Sequence, residues 1–249
     1  MEGLKFICNE PALTYGDMLV VADLHLGVER SIFGGAVELD FFSRARERLL
    51  RLIYESGCEG LALLGDVKHD IPNMPFPDRE RLSKFLKELD DRVHLSVVVG
   101  NHDGGIRELA GGIEVHGAAG MTVGNVSFSH GHAWPSERMM GADWLVLAHN
   151  HPCIEFRDRL GYRSIEKVWI VGEIDARKVR RRYKSFNKGM RIVVMPAFSE
   201  LVGGMVFNSV KGRELLGPFF RNEMFKLDDA ETFLLNGINL GRLKDIKQR

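Results

Sequence analysis

The sequence predicts an α/β protein with a mixed, two-sheet core, and three observations carry that expectation. Apolar runs of strand length alternate with helical stripes over the first hundred residues. After about residue 120 the helices thin out, and strand runs and hairpins take over. Five of the apolar runs end in Asp, Asn or His side chains. The early strands are MLVVA (18–22), LALL (61–64) and HLSVVV (94–99). Between them, residues 41–54 place Phe42, Ala45, Leu49, Leu52 and Ile53 near one helical stripe. Residues 78–89 place Leu82, Phe85, Leu86 and Leu89 on one face, with Pro77-Asp78 as the start signal. This β-α-β-α-β order implies parallel strands joined by crossovers. Later strand runs are VSFS (126–129), WLVLA (144–148), VWIVGEI (168–174) and RIVVMPAF (191–198), with GGMVFN and FLLNGINL as short final ones.

The chain of 249 residues is long enough to bury a large core, and one domain spanning 1–249 is expected, with a small appendage over 218–249. Lys+Arg and Asp+Glu both total 34, so net charge does not point to a polyanionic partner. Cys8, Cys58 and Cys153 are far apart and lack C-x-x-C spacing, which argues against a disulfide framework or a structural zinc knuckle. The N-terminal stretch does not read as a signal peptide, and no run approaches the ~18 apolar residues of a membrane helix. A cytoplasmic protein with no membrane partner is the expectation; the oligomeric state is open.

The five strand endings are Asp23-Leu24-His25, Gly65-Asp66, Gly100-Asn101-His102-Asp103, His130-Gly131-His132 and His149-Asn150-His151. Parallel strands align their C-terminal ends along one edge, where α/β sheets favour ligand sites. One H-x-H is more often a surface pair than a site. Five such endings together point to a metal centre, and imidazole, carboxylate and amide donors without thiolates suit Mn²⁺, Fe²⁺ or Zn²⁺ at a catalytic site. In an extended chain His149 and His151 lie ~6.6 Å apart on one side, whereas paired metals sit ~3.5–4 Å apart. Each histidine is therefore expected to serve one metal, with a carboxylate such as Asp66 bridging them.

With these residues in place, the chain resembles the calcineurin-like metallophosphoesterases. Their motif series D-x-H, G-D, G-N-H-[D/E], H and G-H-x-H runs here in order from Asp23 to His151, with Ala148 where the last motif has glycine. VADLHLGVE and MPAFSELVGG look like the archaeal and ligase-associated phosphoesterases related to double-strand-break repair nucleases. The resemblance implies a four-layer αββα fold, two mixed β-sheets packed face to face with helices outside. It implies metal one on Asp23, His25 and His151, metal two on Asn101, His130 and His149, Asp66 as the bridge, and His102 facing substrate as general acid or charge stabiliser. The two divalent ions are expected to be manganese, with zinc, iron or nickel as alternatives. The implied reaction is phosphodiester hydrolysis by a metal-activated hydroxide.

Other residues have weaker assignments. His69, three residues after Asp66, matches a histidine of the repair nucleases or is an ordinary loop residue. Asp103 orients His102 or caps its loop, and His132 sits beside the ligands or at the rim. Three loops, 28–37, 71–77 and 133–142, are expected to surround the site. The segment 175–191 concentrates Arg177, Lys178, Arg180, Arg181, Arg182 and Lys184 around Tyr183 and Phe186. It is a solvated hairpin tip or a DNA or RNA contact that follows phosphates and stacks bases. The leading expectation is thus a nuclease or phosphodiesterase. The alternatives are a small-molecule phosphomonoesterase and a non-catalytic scaffold on the same fold; a metal-dependent amidohydrolase is remote.

Overall fold

The computed structural model describes residues 3–33, 40–70, 74–209 and 214–246. The first sheet holds β1 (Leu4–Phe6), β2 (Ala12–Tyr15), β3 (Met18–Val21), β4 (Gly60–Leu64), β5 (His94–Val98) and β6 (Glu114–His116), in that order. An antiparallel hairpin leads into it, and β3 to β6 are parallel. The crossovers carry α1 (Val28–Phe33), α2 (Phe41–Ser56), α3 (Phe76–Asp90) and the single turn α4 (Ile106–Leu109). The Asp40 side chain caps α2 by accepting from the Ser43 amide at 3.2 Å. Helix α3 begins two residues before the expected Asp78. Pro77 falls in its first turn, where a missing N–H costs nothing.

The second sheet comprises β7 (Met121–Val123), β8 (Val126–Ser129), β9 (Trp144–Leu147), β10 (Pro152–Arg157), β11 (Arg163–Glu173), β12 (Arg191–Val194), β13 (Met205–Val206), β14 (Glu231–Leu234) and β15 (Asn239–Arg242). Its order is β13-β10-β11-β12-β9-β8-β7, with β14 paired to β11 and to β15. Strands β8, β9 and β12 are parallel, so this sheet also has an edge of aligned C-terminal ends.

Strand alternation divides the core into three layers of side chains. The outer face of the first sheet (Leu19, Val21, Leu61, Leu63) packs on Leu49, Leu52, Leu82 and Leu86 of α2 and α3. Its inner face (Val20, Ala22, Ala62, Leu64, Val98) meets Phe128, Val146, Trp169 and Val193 of the second sheet. Phe6 stacks on Trp169 across this seam, ring centroids 4.4 Å apart. The second sheet's outer face is covered by short turns, including α5 (Ala176–Val179) and α6 (Pro218–Arg221), instead of long helices. The expected layering of two face-to-face mixed sheets with helices outside is the observed one, and its fourth layer is thin.

Three local readings change. Pro152 opens β10, which has no counterpart among the expected strands; the first strand position is one where a missing N–H is tolerated. The β1–β2 hairpin has no counterpart among the expected strands, since LKF and ALTY show too few apolar residues to stand out. The described part of 218–249 is built into the second sheet, with Phe219 and Leu243 buried in its outer core. Among the described residues, no helix is long and apolar enough to cross a membrane.

Candidate metal centre

All five polar endings meet, but from two sheets. Residues after β3, β4 and β5 supply Asp23, His25, Asp66, Asn101 and His102; residues after β8 and β9 supply His130, His149 and His151. Two groups of potential ligands form there, Asp23–His25–His151 and Asp66–His130–His149. His149 and His151 do fall into different groups, although the chain between them is not extended as expected. Both have left-handed backbones, as do Asp23, His25 and Asp66, with φ between 42° and 71°. Such conformations cost about 1 kcal/mol or more each for residues with a Cβ, and strain of this kind collects at functional sites.

Asp66 sits at the middle. Its Oδ1 accepts from the His102 amide at 2.9 Å. Its Oδ2 lies 3.4 Å from His130 Nε2, 3.6 Å from His25 Nε2 and 3.9 Å from His102 Nε2. On one side, His151 Nε2 is 3.3 Å from Asp23 Oδ1 and 3.4 Å from His25 Nε2. On the other, Asn101 Oδ1 is 3.2 Å from His130 Nε2, and the His130 and His149 ring centroids are 4.9 Å apart. Close backbone approach makes this possible. A Cβ on Gly65 would stand 2.3 Å from His130 Nδ1, and one on Gly100 would stand 2.2 Å from the Asp66 amide.

The electrostatics pair two ionised carboxylates with imidazoles of unlike affinity for the proton. Burial raises Asp23, yet His151 and His130 outweigh it and keep the carboxyl below its usual range. Burial also raises Asp66, but the His130 hydrogen bond and charge pull it well below. Burial pushes His25 and His149 down to about 4. Burial lowers His130 as well, but the Asp66 hydrogen bond and the Asp23 charge lift it to about 9. Asp23 Oδ1 is buried and has no hydrogen-bond partner among the described residues. A buried carboxylate oxygen left so is costly unless a cation takes it, and two buried carboxylates call for compensating positive charge. With O and N donors alone, the residues fit a pair of divalent ions.

Neighbouring groups fix the candidate ligands. His130 Nδ1 lies 3.1 Å from the Leu64 carbonyl and His151 Nδ1 3.1 Å from the Gly203 carbonyl; donation there leaves each Nε2 to face the centre. Asp103 accepts from the amides of Val67 (2.9 Å), Lys68 (3.3 Å) and Gly100 (2.8 Å), so it ties two loops together. His69 Nδ1 approaches His25 Nδ1 at 3.3 Å, and His25, His69 and His102 form a third close group. The His132 ring lies 5.2 Å from His130, with its buried Nδ1 unpartnered among the described residues.

Asn150 and Lys167 are absent from the expected site residues. Buried Asn150 exchanges two hydrogen bonds with the backbone of Leu216, at 2.8 and 3.2 Å, and so ties that segment beside His149. Only its position between His149 and His151 hints at this. Lys167 Nζ donates to the carbonyls of Ala197 (2.8 Å) and Ser199, while the Ser199 amide donates to the Asp23 carbonyl. No local pattern marks that lysine.

The basic segment is not brought to the centre. Arg191 pairs with Glu173 and with Trp144, at the start of β9, so residues 175–190 lie at the opposite edge of the second sheet. Arg177, Arg180, Arg181, Arg182 and Lys184 are exposed there, and Lys178 pairs with Glu223. Tyr183 is buried, and its hydroxyl donates to the Pro135 carbonyl at 2.8 Å; Phe186 packs on the outer core. Neither ring is presented for base stacking as expected. Of the three expected rim loops, 34–37 and 71–73 fall outside the described residues. The loop 133–142 leaves the centre and runs back to the basic edge, where Arg182 stacks on Trp134.

Comparison with known proteins supports the architecture. The Pseudomonas putida nuclease MPE is similar over 95% of this chain and 100% of its own, with a TM-score of 0.58 and 17% identity. YfcE, a phosphoesterase from E. coli, is similar over 57% of this chain and 73% of its own, with a TM-score of 0.36 and 22% identity. No protein-family model and no curated protein matches the chain. The first likeness shows a shared fold.

Proposed function

We propose that the protein is a dinuclear metal-dependent phosphoesterase that hydrolyses phosphodiesters, with nucleotides or nucleic acid as the substrate class. The observation that carries this is the placement of Asp66 Oδ2 between His25 and His130, which belong to two separate donor groups, with Asp23 Oδ1 buried and without a hydrogen bond among the described residues. Asp23, His25 and His151 would hold one ion, Asn101, His130 and His149 the second, and Asp66 both. Manganese is the proposed metal. When bound, a divalent pair supplies Lewis acidity and a water acidic enough to attack near neutral pH.

The chain's own groups set the rest. His102 Nδ1 donates to the His69 carbonyl, which leaves Nε2 facing Asp66 at 3.9 Å, placed to hold a proton for the leaving oxygen. His69, beside both His25 and His102, limits how either ring can turn. The similarity to a structure named a nuclease favours a polymeric or nucleotide substrate over a simple monoester. The basic segment gives that preference no support, because it lies on the far edge. The test is hydrolysis of bis-aryl phosphate, mono-aryl phosphate and single-stranded DNA by protein reconstituted with Mn²⁺. Cleavage of the diester and the DNA is the expected result. Activity on the monoester alone would make the protein a phosphomonoesterase.

A further inference from the structure

The larger question left by this site is what lies beyond the phosphate. A cavity of about 630 Å³ opens where the first sheet's metal edge meets α2, and both Leu24 and His25 line it. The volume is far beyond that of a bare phosphate and within the ~300–1,000 Å³ usual for small-molecule sites. Its other walls include Phe41, Arg44, Ala45 and Arg48 of α2, with Phe198 and Glu29. Arg48 lies over the Phe198 ring, 4.2 Å from its centroid, and is held there by Glu10 at 2.8 Å and the Phe198 carbonyl at 3.1 Å. Glu10 also takes Arg51, so the cations of this wall are largely neutralised.

We propose that this cavity is a nucleoside pocket, holding the base of the nucleotide whose phosphate lies at the Asp66 centre. The proposal rests on the phosphodiesterase reading of that centre. The Arg48 guanidinium, backed by the buried Phe198 ring, suits a planar, uncharged heterocycle, since bases stack on guanidinium planes. Paired charges make the same wall a poor receptor for a second phosphate. One Glu29 carboxylate oxygen accepts from the Gly27 amide at 3.1 Å. The carboxylate also lines the cavity, where it can accept from an exocyclic amine.

The test compares two ligands that differ only in the base. Deoxyadenosine 5′-monophosphate and 2-deoxyribose 5-phosphate are titrated calorimetrically into the Mn²⁺-loaded protein. The nucleotide is expected to bind at least tenfold more tightly, and Ala45→Trp, which fills the cavity, to erase that difference. Equal binding of the two ligands by the wild type overturns the pocket and leaves the metal-centre reading standing. Binding of neither overturns both. Should the variant fail to fold, photolabelling of the wild type with 8-azido-deoxyadenosine monophosphate decides the matter. Label on 41–51 or 198–201 is expected, and label confined to other segments overturns the proposal.

Discussion

The two sheets contribute unlike chemistry to one centre. The first supplies every oxygen donor (Asp23, Asp66 and Asn101) together with His25 and His102, whereas the second supplies only the imidazoles of His130, His149 and His151. Neither holds a full ligand set for either proposed ion. The site exists because the inner faces pack together, so ligand geometry and the seam between the sheets are coupled. Direct bonds reinforce that seam at the rim. The His149 amide donates to Asp23 Oδ2 at 3.2 Å, and the Phe198 amide to the Ala22 carbonyl at 2.8 Å.

Substitutions on each side should separate the two contributions. Asp66→Asn removes the shared charge of the first sheet while keeping its shape, and diester hydrolysis should fall by ~10³-fold or more, since metal activation is worth several kcal/mol. Metal analysis should show the loss of at least one ion. His102→Gln leaves the proposed ligands in place; kcat should drop ~10²–10³-fold with metal content unchanged, as expected of a lost general acid. An equal loss of metal would make His102 a ligand and redraw the first sheet's role.

Lys167 tests the seam itself through pH. Burial holds its ammonium down to about 8 against an ordinary 10.5. Between those values the unfolded chain binds the proton and the folded one does not, so stability should rise with pH from about 8 to 10.5. The penalty is fully present below pH 8 and amounts to about 3 kcal/mol. Subtracting a Lys167→Met urea-denaturation series from that of the wild type should isolate this rise. A flat difference would mean that the ammonium is solvated and does not fasten 197–199. The smallest effect is expected at Asn150→Ala, which frees the Leu216 segment beside His149. Metal affinity should weaken roughly 10–100-fold, the usual scale for a group that steadies a ligand. Unchanged affinity would mean that the second sheet's histidines need no such support.

Much of this was legible in the chain because buried strands and amphipathic helices leave strong periodic signals. The runs around Val20, Leu63 and Val146 and the stripes of α2 and α3 lie close to where the pattern puts them. The proposed ligand residues were legible because polar groups at the ends of apolar runs are conspicuous. Which sheet each ending belongs to was not, since strand pairing is a long-range property. Nor were the left-handed backbones of His149 and His151, which separate two side chains that an extended chain would also have separated. The location of the basic segment failed for a related reason: a charge run does not reveal which edge of a sheet it caps. Lys167 and Asn150 act through backbone groups 30 and 66 residues away, and no local pattern encodes such partners.

The central claim is that both sheets together hold two ions around one carboxylate. Anomalous diffraction from Mn²⁺-loaded crystals tests it directly. Two peaks flanking Asp66 are predicted, one among Asp23, His25 and His151 and the other among Asn101, His130 and His149. A crystal with full manganese occupancy but no peak within coordination distance of Asp66 would contradict it.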